Sequence, residues 1–142
     1  MLRMSKLADY SFVLLSRMAE QPEMTWSAAA LATETTLPLP TVAKLMKLLA
    51  KSEIVAAQRG AMGGYTLVFP AKEITIARII EAVDGPITLT QCSGEVVNKG
   101  SCDCQVHGEC PVRESWGRIN TAIRTALQSV FLSDLVVCRE EK

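Results

Sequence analysis

Four of the five cysteines and the single histidine of this 142-residue chain lie in the segment from Cys92 to Cys110. The segment reads CSGEVVNKGSCDCQVHGEC, and most of its other residues are small or polar. Such a composition cannot build a hydrophobic core, so the sulfur atoms are available as ligands. Thiolates select zinc, copper(I) or iron–sulfur clusters. The spacing and residue types therefore predict a metal or redox centre.

Composition favours a cytoplasmic protein that has no membrane partner. The chain carries 15 basic and 15 acidic side chains, so net charge identifies no partner. Arg3 and Lys6 resemble the start of a secretory signal, but Asp9 interrupts the segment and no small-residue cleavage site follows. No run approaches the roughly 18 apolar residues of a membrane span. Because cytoplasmic thiols stay reduced, ligation explains the clustered cysteines better than disulfides do, and Cys138 is read as an ordinary thiol.

Three helices are predicted in the first half of the chain. The first follows Ser5 as its N-cap, and the second is short and follows Ser27 as its N-cap. The third begins at Pro38 and Pro40, since proline is tolerated only before or within the first turn of a helix. The residues off its apolar stripe are Thr41, Lys44, Lys47 and Lys51. Two helices joined by a short turn, the second with a basic face, are typical of a helix-turn-helix DNA reader.

A glycine-rich hairpin is predicted directly after the third helix. Residues 54–59 and 65–69 are strand-like and are joined by the sequence GAMGG. A hairpin in this place is typical of the wing of a winged helix, and Arg59 suits contact with phosphate or the minor groove. We expect double-stranded DNA to be contacted by Ser27, Thr41, Lys44, Lys47, Arg59, Gly60, Gly64 and Tyr65.

The second half is expected to hold one more functional helix. Pro111 favours a helix start with Cys110 as its N-cap, and the apolar stripe from Trp116 runs to about residue 133. This apolar stripe must be buried, either against the first helix of the same chain or against a second copy of the protein. A homodimer is preferred because such DNA readers bind symmetric half-sites.

The expected fold class is mainly α with a small β wing. Residues 1–84 would form a winged helix-turn-helix domain that binds DNA. Residues 85–142 would hold a cysteine-rich, cluster-binding loop at about 90–110, a long dimerisation helix at about 111–133, and a short tail.

Motifs over roughly residues 1–135 resemble the Rrf2 family of bacterial transcription regulators, closest to the SUF-operon type. They are SKLADY, RGAMGGYTL, ITIARIIEAVDGP and CPVRESWGRINTAI, in that order and with one cysteine loop. The resemblance implies a regulator and not an enzyme. It further implies an iron–sulfur cluster sensor for the genes of iron–sulfur cluster assembly, as a repressor in preference to an activator. A [2Fe–2S] cluster is preferred to a [4Fe–4S] cluster.

The resemblance also implies a set of cluster ligands. By position, Cys92 and Cys110 match the first and last cysteine ligands of the family, and Cys104 matches the middle one. Regulators of the ISC operon place a histidine ligand where this chain has Arg113. The fourth ligand is therefore open, and its candidates are Cys102, His107 and Asp9. Asp9 is included because the nitric-oxide-sensing branch uses an aspartate near this point of the first helix.

Two alternatives to a cluster sensor stay open from the residues alone. One is a small metal or electron carrier that uses the winged helix as a protein-interaction module. The other is a regulator with structural zinc, although spacings of nine, one and five residues between successive cysteines differ from the usual C-x-x-C pairs.

The resemblance also draws attention to two turns. Thr36 and Glu53 occupy positions where members of the family often have glycine, so the detailed conformation of these turns is left open.

Overall fold

The structure is a computed structural model that describes residues 3–93, 104–106 and 108–136. Over these residues the chain forms six α-helices and a two-stranded antiparallel sheet, which confirms the mainly helical winged fold. The elements are α1 (Lys6–Glu20), α2 (Ala28–Thr35), α3 (Leu39–Lys51), β1 (Val55–Gln58), β2 (Gly64–Leu67), α4 (Ile76–Asp84), α5 (Arg113–Gln128) and α6 (Leu132–Leu135). No helix in the described ranges is long and apolar enough to cross a membrane.

Side-chain oxygens begin three of the helices. Ser5, Ser27 and Thr75 each accept a hydrogen bond from the backbone N–H three residues later, at 3.0, 3.0 and 3.2 Å. Each bond satisfies one of the N–H groups that a helix start leaves without a partner. The N-caps predicted at Ser5 and Ser27 are confirmed.

The hydrophobic core lies between α1, α2, α3 and α4. Its fully buried side chains include Leu14, Leu15, Met18, Leu31, Val42, Leu45, Met46, Leu49, Ile54, Ile74, Ile79 and Leu132. Burying each of these side chains contributes roughly 1.5–3 kcal/mol before chain entropy is counted. The apolar stripe predicted for α3 is the face that packs into this core.

Two residues with left-handed backbone flank α3. Thr36 has φ 57° and ends α2, while Glu53 has φ 56° and lies between α3 and β1. A side chain in this region crowds the following carbonyl, which costs roughly 1–2 kcal/mol. Glycine carries no such cost. The turns at Thr36 and Glu53 therefore favour glycine by their backbone conformation.

The C-terminal region departs from the expected single helix. The N-cap of α5 is Val112, so the prediction that Cys110 caps this helix is wrong. The helix ends at Gln128 because the next residues pair with another part of the backbone. The Ile76 N–H donates to the Val130 carbonyl at 2.9 Å, and the Leu132 N–H donates to the Ile74 carbonyl at 2.8 Å. These bonds replace the helical ones and carry Leu132 into the core.

Candidate nucleic-acid interface and metal-binding segment

The third helix presents a basic face opposite its core face. Lys44, Lys47 and Lys51 are exposed and Thr41 is partly exposed. The helix starts after Pro38 without a side-chain cap, and Leu39 in its first turn is 48% exposed. Since α3 is held to the core by four fully buried side chains, its polar face is displayed on a rigid element.

The wing is a short hairpin whose turn requires glycine. Gln58 pairs with Gly64 at the end of the sheet, and the Gly63 N–H donates to the Gly60 carbonyl at 3.0 Å. A Cβ atom on Gly63 would lie 2.3 Å from the Gln58 carbonyl oxygen, so a side chain does not fit there. Gly60 has φ 108°, which favours glycine for conformational reasons. Arg59 is exposed at the start of this turn.

Backbone pairing with Trp26 attaches the wing to the helix-turn-helix. The Trp26 N–H donates to the Tyr65 carbonyl at 2.9 Å, and the Tyr65 N–H donates to the Trp26 carbonyl at 2.7 Å. A Cβ atom on Gly64 would lie 2.5 Å from the Trp26 carbonyl oxygen. Gly64 therefore permits the close approach on which this pairing depends.

Trp26 positions the wing, a role that the sequence alone did not reveal. It precedes the N-cap Ser27, is 2% exposed, and belongs to the same buried cluster as Leu31. An apolar residue before an N-cap that packs against one in the fourth helical position is a hydrophobic staple. That pattern was the available signal, since Leu31 is the fourth residue of α2.

A cluster of charged side chains on α1 and α2 includes Arg17, which contacts Trp26, the residue that holds the wing. The Arg17 guanidinium lies over the Trp26 ring, 5.0 Å from its centroid. It also pairs with Glu20 at 2.7 Å and with Glu34 at 3.1 Å. Arg17 therefore links α1 to α2 and covers one side of the tryptophan, while the partly exposed ion pairs themselves contribute little to stability.

The expected DNA-contacting residues lie on the start of α2, the polar face of α3 and the wing. The structure brings the start of α2 and the wing together through the pairing of Trp26 with Tyr65, and α2 packs against α3. The exposed members of the set are Ser27, Lys44, Lys47, Arg59 and Gly60, and the partly buried members are Thr41, Gly64 and Tyr65. Their contact with DNA stays a prediction.

The expected metal ligands are only partly described. Cys92, Cys104 and Cys110 are partly buried free thiols, and Cys92 Sγ lies 3.3 Å from Thr90 Oγ1. Two fourth-ligand candidates, Cys102 and His107, lie outside the described residues. The third, Asp9, is exposed in the first turn of α1. Among residues 3–93, 104–106 and 108–136, no three His, Cys, Asp or Glu side chains form a metal-binding group.

The segment that leads into Cys92 is bonded to α5, and the helix before this segment is bonded to the start of α1. The Leu89 N–H donates to Asn120 Oδ1 at 3.1 Å, and Asn120 is 7% exposed on α5. The Ser5 hydroxyl donates to Asp84 Oδ1 at 2.7 Å and so joins the start of α1 to the end of α4. These contacts place Cys92 a few residues from the junction between the winged part and α5. The three thiols suit a cluster by ligand chemistry, but the described residues do not assemble a finished site.

The two halves of α5 have different surroundings. Leu127 packs against the core, and Arg124 pairs with Glu81 of α4 at 3.2 Å. In the first half, Trp116 is 36% exposed and Ile119 is 43% exposed. These two side chains, three positions apart, give the first half of α5 an exposed apolar surface.

Comparison with known proteins gives a family. Residues 4–137 match the family described as Rrf2, iron-dependent transcriptional regulator. A putative HTH-type transcriptional regulator of Haemophilus influenzae is 32% identical over 99 residues, which cover 70% of this chain and 62% of that protein. The HTH-type transcriptional regulator IscR of Vibrio parahaemolyticus is 34% identical over 97 residues, 68% of this chain and 54% of that protein. The chain thus spans little more than half the length of these curated relatives.

A solved structure extends the similarity to the whole fold. CymR, the global cysteine regulator of Bacillus subtilis, superimposes with a TM-score of 0.70 at 28% identity, covering 96% of this chain and 97% of that one. The winged fold and the C-terminal helix are therefore shared with a regulator. Because the family match covers nearly all of the chain, the protein belongs to the Rrf2 family of transcriptional regulators.

Proposed function

We propose that this protein is an iron–sulfur-cluster-sensing repressor of SUF-type cluster-assembly genes that binds double-stranded DNA as a cytoplasmic homodimer. One observation carries the proposal. A single chain joins a lysine-faced α3 and an anchored wing to a thiol-bearing segment that leads into α5. The description of the family as iron-dependent regulators supports the same conclusion.

DNA would be bound by α3 and the wing together. A helix with an exposed basic face fits the major groove, so Thr41, Lys44 and Lys47 are assigned to that groove. The wing carries Arg59 on a short hairpin held by Trp26, and its guanidinium suits phosphate or a narrow minor groove. Because the hairpin is attached to the start of α2, the two contact regions would approach DNA as one rigid surface.

Dimerisation would involve the first half of α5. Trp116 and Ile119 are exposed there, whereas the second half of the helix is occupied by contacts with α4. A second copy related by two-fold symmetry would cover this surface with its own equivalent. The same symmetry would place two α3 helices against two half-sites of a palindromic operator.

Cys92, Cys104 and Cys110 would hold the cluster, with the fourth ligand open among Cys102, His107 and Asp9. A [2Fe–2S] cluster would supply a redox- and iron-sensitive group at this position. Ligation by cysteines that precede α5 would link the winged part to the dimer surface. Operator affinity would consequently differ between the two forms of the protein, and a few kcal/mol of differential stabilisation suffices for a strong change in occupancy.

An anaerobic purification followed by an electrophoretic mobility-shift titration tests the proposal. Iron, acid-labile sulfide and zinc are measured first, together with the absorption spectrum. DNA containing a SUF-type promoter is then titrated with the cluster-bound protein and with protein treated with a chelator. We expect iron and sulfide in equal amounts, and different affinities for the two forms. Equal affinities would refute cluster sensing, zinc without sulfide would favour a structural zinc site, and no binding at any salt concentration would favour a carrier.

A further inference from the structure

The third helix has an unusually restricted set of polar side chains. Its sequence, LPTVAKLMKLLAK, contains no Asp, Glu, Asn, Gln, Arg or Ser. The hydrogen-bonding groups that it presents are the lysine ammonium groups and the Thr41 hydroxyl. The other accessible side chains in its first two turns are apolar, namely those of Leu39, Pro40 and Ala43.

The position of these side chains follows from the buried face. Val42, Leu45 and Leu49 point into the core, so the residues on the opposite side are those near positions 40, 44 and 47. The N-terminal residues of a recognition helix are the ones that contact base edges. Pro40 and Lys44 lie on this outward side within the first two turns, and Thr41 and Ala43 flank them.

Each base presents a different chemistry in the major groove. Guanine offers the acceptors N7 and O6, which suit the donor groups of lysine, and thymine offers a methyl group, which suits apolar contact. Adenine is read by Asn or Gln, and cytosine is read by an acidic side chain. Because α3 contains no Asn, Gln, Asp or Glu, its only group able to hydrogen-bond adenine or cytosine in this way is the Thr41 hydroxyl, and its lysines and apolar side chains favour guanine and thymine.

We infer that α3 reads its operator half-site through guanine acceptors and thymine methyl groups. Lys44 would donate to guanine, Lys47 one turn later would contact a phosphate, and the apolar surface of Pro40, Ala43 and the Thr41 methyl would contact thymine. The inference rests on the proposed DNA binding and adds the chemistry of the bases recognised. The competing possibility is that the lysines contact phosphates alone and that specificity comes from DNA shape.

Modified bases distinguish these possibilities. The full-length protein first selects its preferred site from a library of random duplexes, using whichever form binds DNA. Individual thymines of each half-site are then replaced with deoxyuridine, which lacks only the methyl group. Individual guanines are replaced with 7-deazaguanine, which lacks the N7 acceptor. We expect at least one thymine whose methyl removal weakens binding about fourfold, the change that corresponds to one buried methyl-sized group, and at least one guanine with a comparable loss.

Two substitutions connect the bases to named side chains. Thr41→Ser removes a methyl group and keeps the hydroxyl, so the loss caused by deoxyuridine at one position should shrink or disappear in this variant. Lys44→Gln offers a bidentate partner for adenine and should move the preference at one base pair from guanine to adenine. Lys72→Gln removes the same charge from an exposed residue outside α3 and serves as the matched control. It should leave the selected sequence unchanged.

The outcomes separate the inference from the proposed function. Salt-dependent binding that is insensitive to every deoxyuridine and 7-deazaguanine replacement would overturn base reading by α3 and leave DNA binding intact. A preferred site unchanged by Lys44→Gln would refute the assignment of Lys44 to a base. No binding to any duplex, in either the cluster-bound or the chelated form, would refute the proposed function itself.

Discussion

Trp26 and Tyr65 exchange two backbone hydrogen bonds, of 2.9 and 2.7 Å, across the gap between the start of α2 and the second strand of the wing. A two-stranded hairpin alone is marginally stable in water. The pairing with Trp26 adds a third backbone segment beside the two strands. The Trp26 side chain is itself buried in the core. The direction of the wing is therefore determined by the helix-turn-helix that it accompanies.

Substitution of Gly64 tests this attachment. A Cβ atom at this position would lie 2.5 Å from the Trp26 carbonyl oxygen, and the backbone has φ 155°. We expect Gly64→Ala to lower the free energy of unfolding by about 2 kcal/mol and to weaken DNA binding. Thermal unfolding and a binding titration measure the two effects. Gly108→Ala is the control, because a Cβ atom there meets nothing within 4 Å, and equal melting temperatures for the two variants would contradict the attachment.

Glu53 offers a test of backbone strain beside α3. Its left-handed conformation, φ 56°, favours glycine, so Glu53→Gly should raise the free energy of unfolding by roughly 1 kcal/mol. Glu53→Ala is the matched control, since it removes the charge and retains the Cβ atom. Chemical denaturation of both variants measures the difference. A stabilisation of equal size in the alanine variant would show that charge, and not backbone conformation, is the cause.

The lysines of α3 should determine much of the salt dependence of DNA binding. Each phosphate contact that is lost reduces the slope of log affinity against log salt concentration by about 1. We expect Lys47→Gln to reduce the slope by about this amount, and Lys44→Gln to reduce it less if Lys44 contacts a base. Fluorescence anisotropy at several salt concentrations measures the slopes. Lys72→Gln should match the unsubstituted protein, and an unchanged slope in both α3 variants would place the phosphate contacts elsewhere.

Cysteine substitutions test the proposed ligands. Serine in place of Cys92, Cys104 or Cys110 should reduce bound iron and sulfide severalfold, because a hydroxyl is a poor ligand for a cluster. Cys138→Ser is the matched control and should retain both. Iron and sulfide analysis after anaerobic purification measures the result. Full retention in the Cys104 variant together with loss in a Cys102→Ser variant would reverse the assignment of the middle ligand.

The exposed apolar side chains of α5 predict the effect of a charge at the dimer surface. Ile119→Arg should raise the dissociation constant of the dimer at least about 30-fold, because the charge would be buried without a partner. Sedimentation velocity over a range of concentrations measures the constant. Arg118→Ala changes a neighbouring exposed residue on another side of the helix and should leave the dimer intact. A monomeric unsubstituted protein would refute the proposed dimer.

Local sequence patterns were sufficient to predict most helix starts and turns in the first half of the chain. Ser5 and Ser27 cap their helices as predicted, and the prolines at positions 38 and 40 mark the start of α3. The glycines of the wing are needed at the turn. Caps, apolar periodicity and turn residues act over a few positions, so the sequence contains their whole cause. The basic face of α3 follows from the same periodicity.

The C-terminal boundaries depend on distant backbone. Nothing near Val130 and Leu132 signals the end of a helix, and their apolar character continues the stripe of α5. The helix stops there because these residues pair with the segment from Ile74 to Ile76 and because Leu132 completes the core.

The sequence by itself determined the winged helix-turn-helix, the charge pattern of α3 and the family, because local propensity and ordered motifs specify all three. Tertiary structure alone decided how the wing is held, through Trp26 and Gly64, and which half of α5 remains exposed. Both depend on contacts between residues far apart along the chain, and such contacts leave no periodic trace in the sequence.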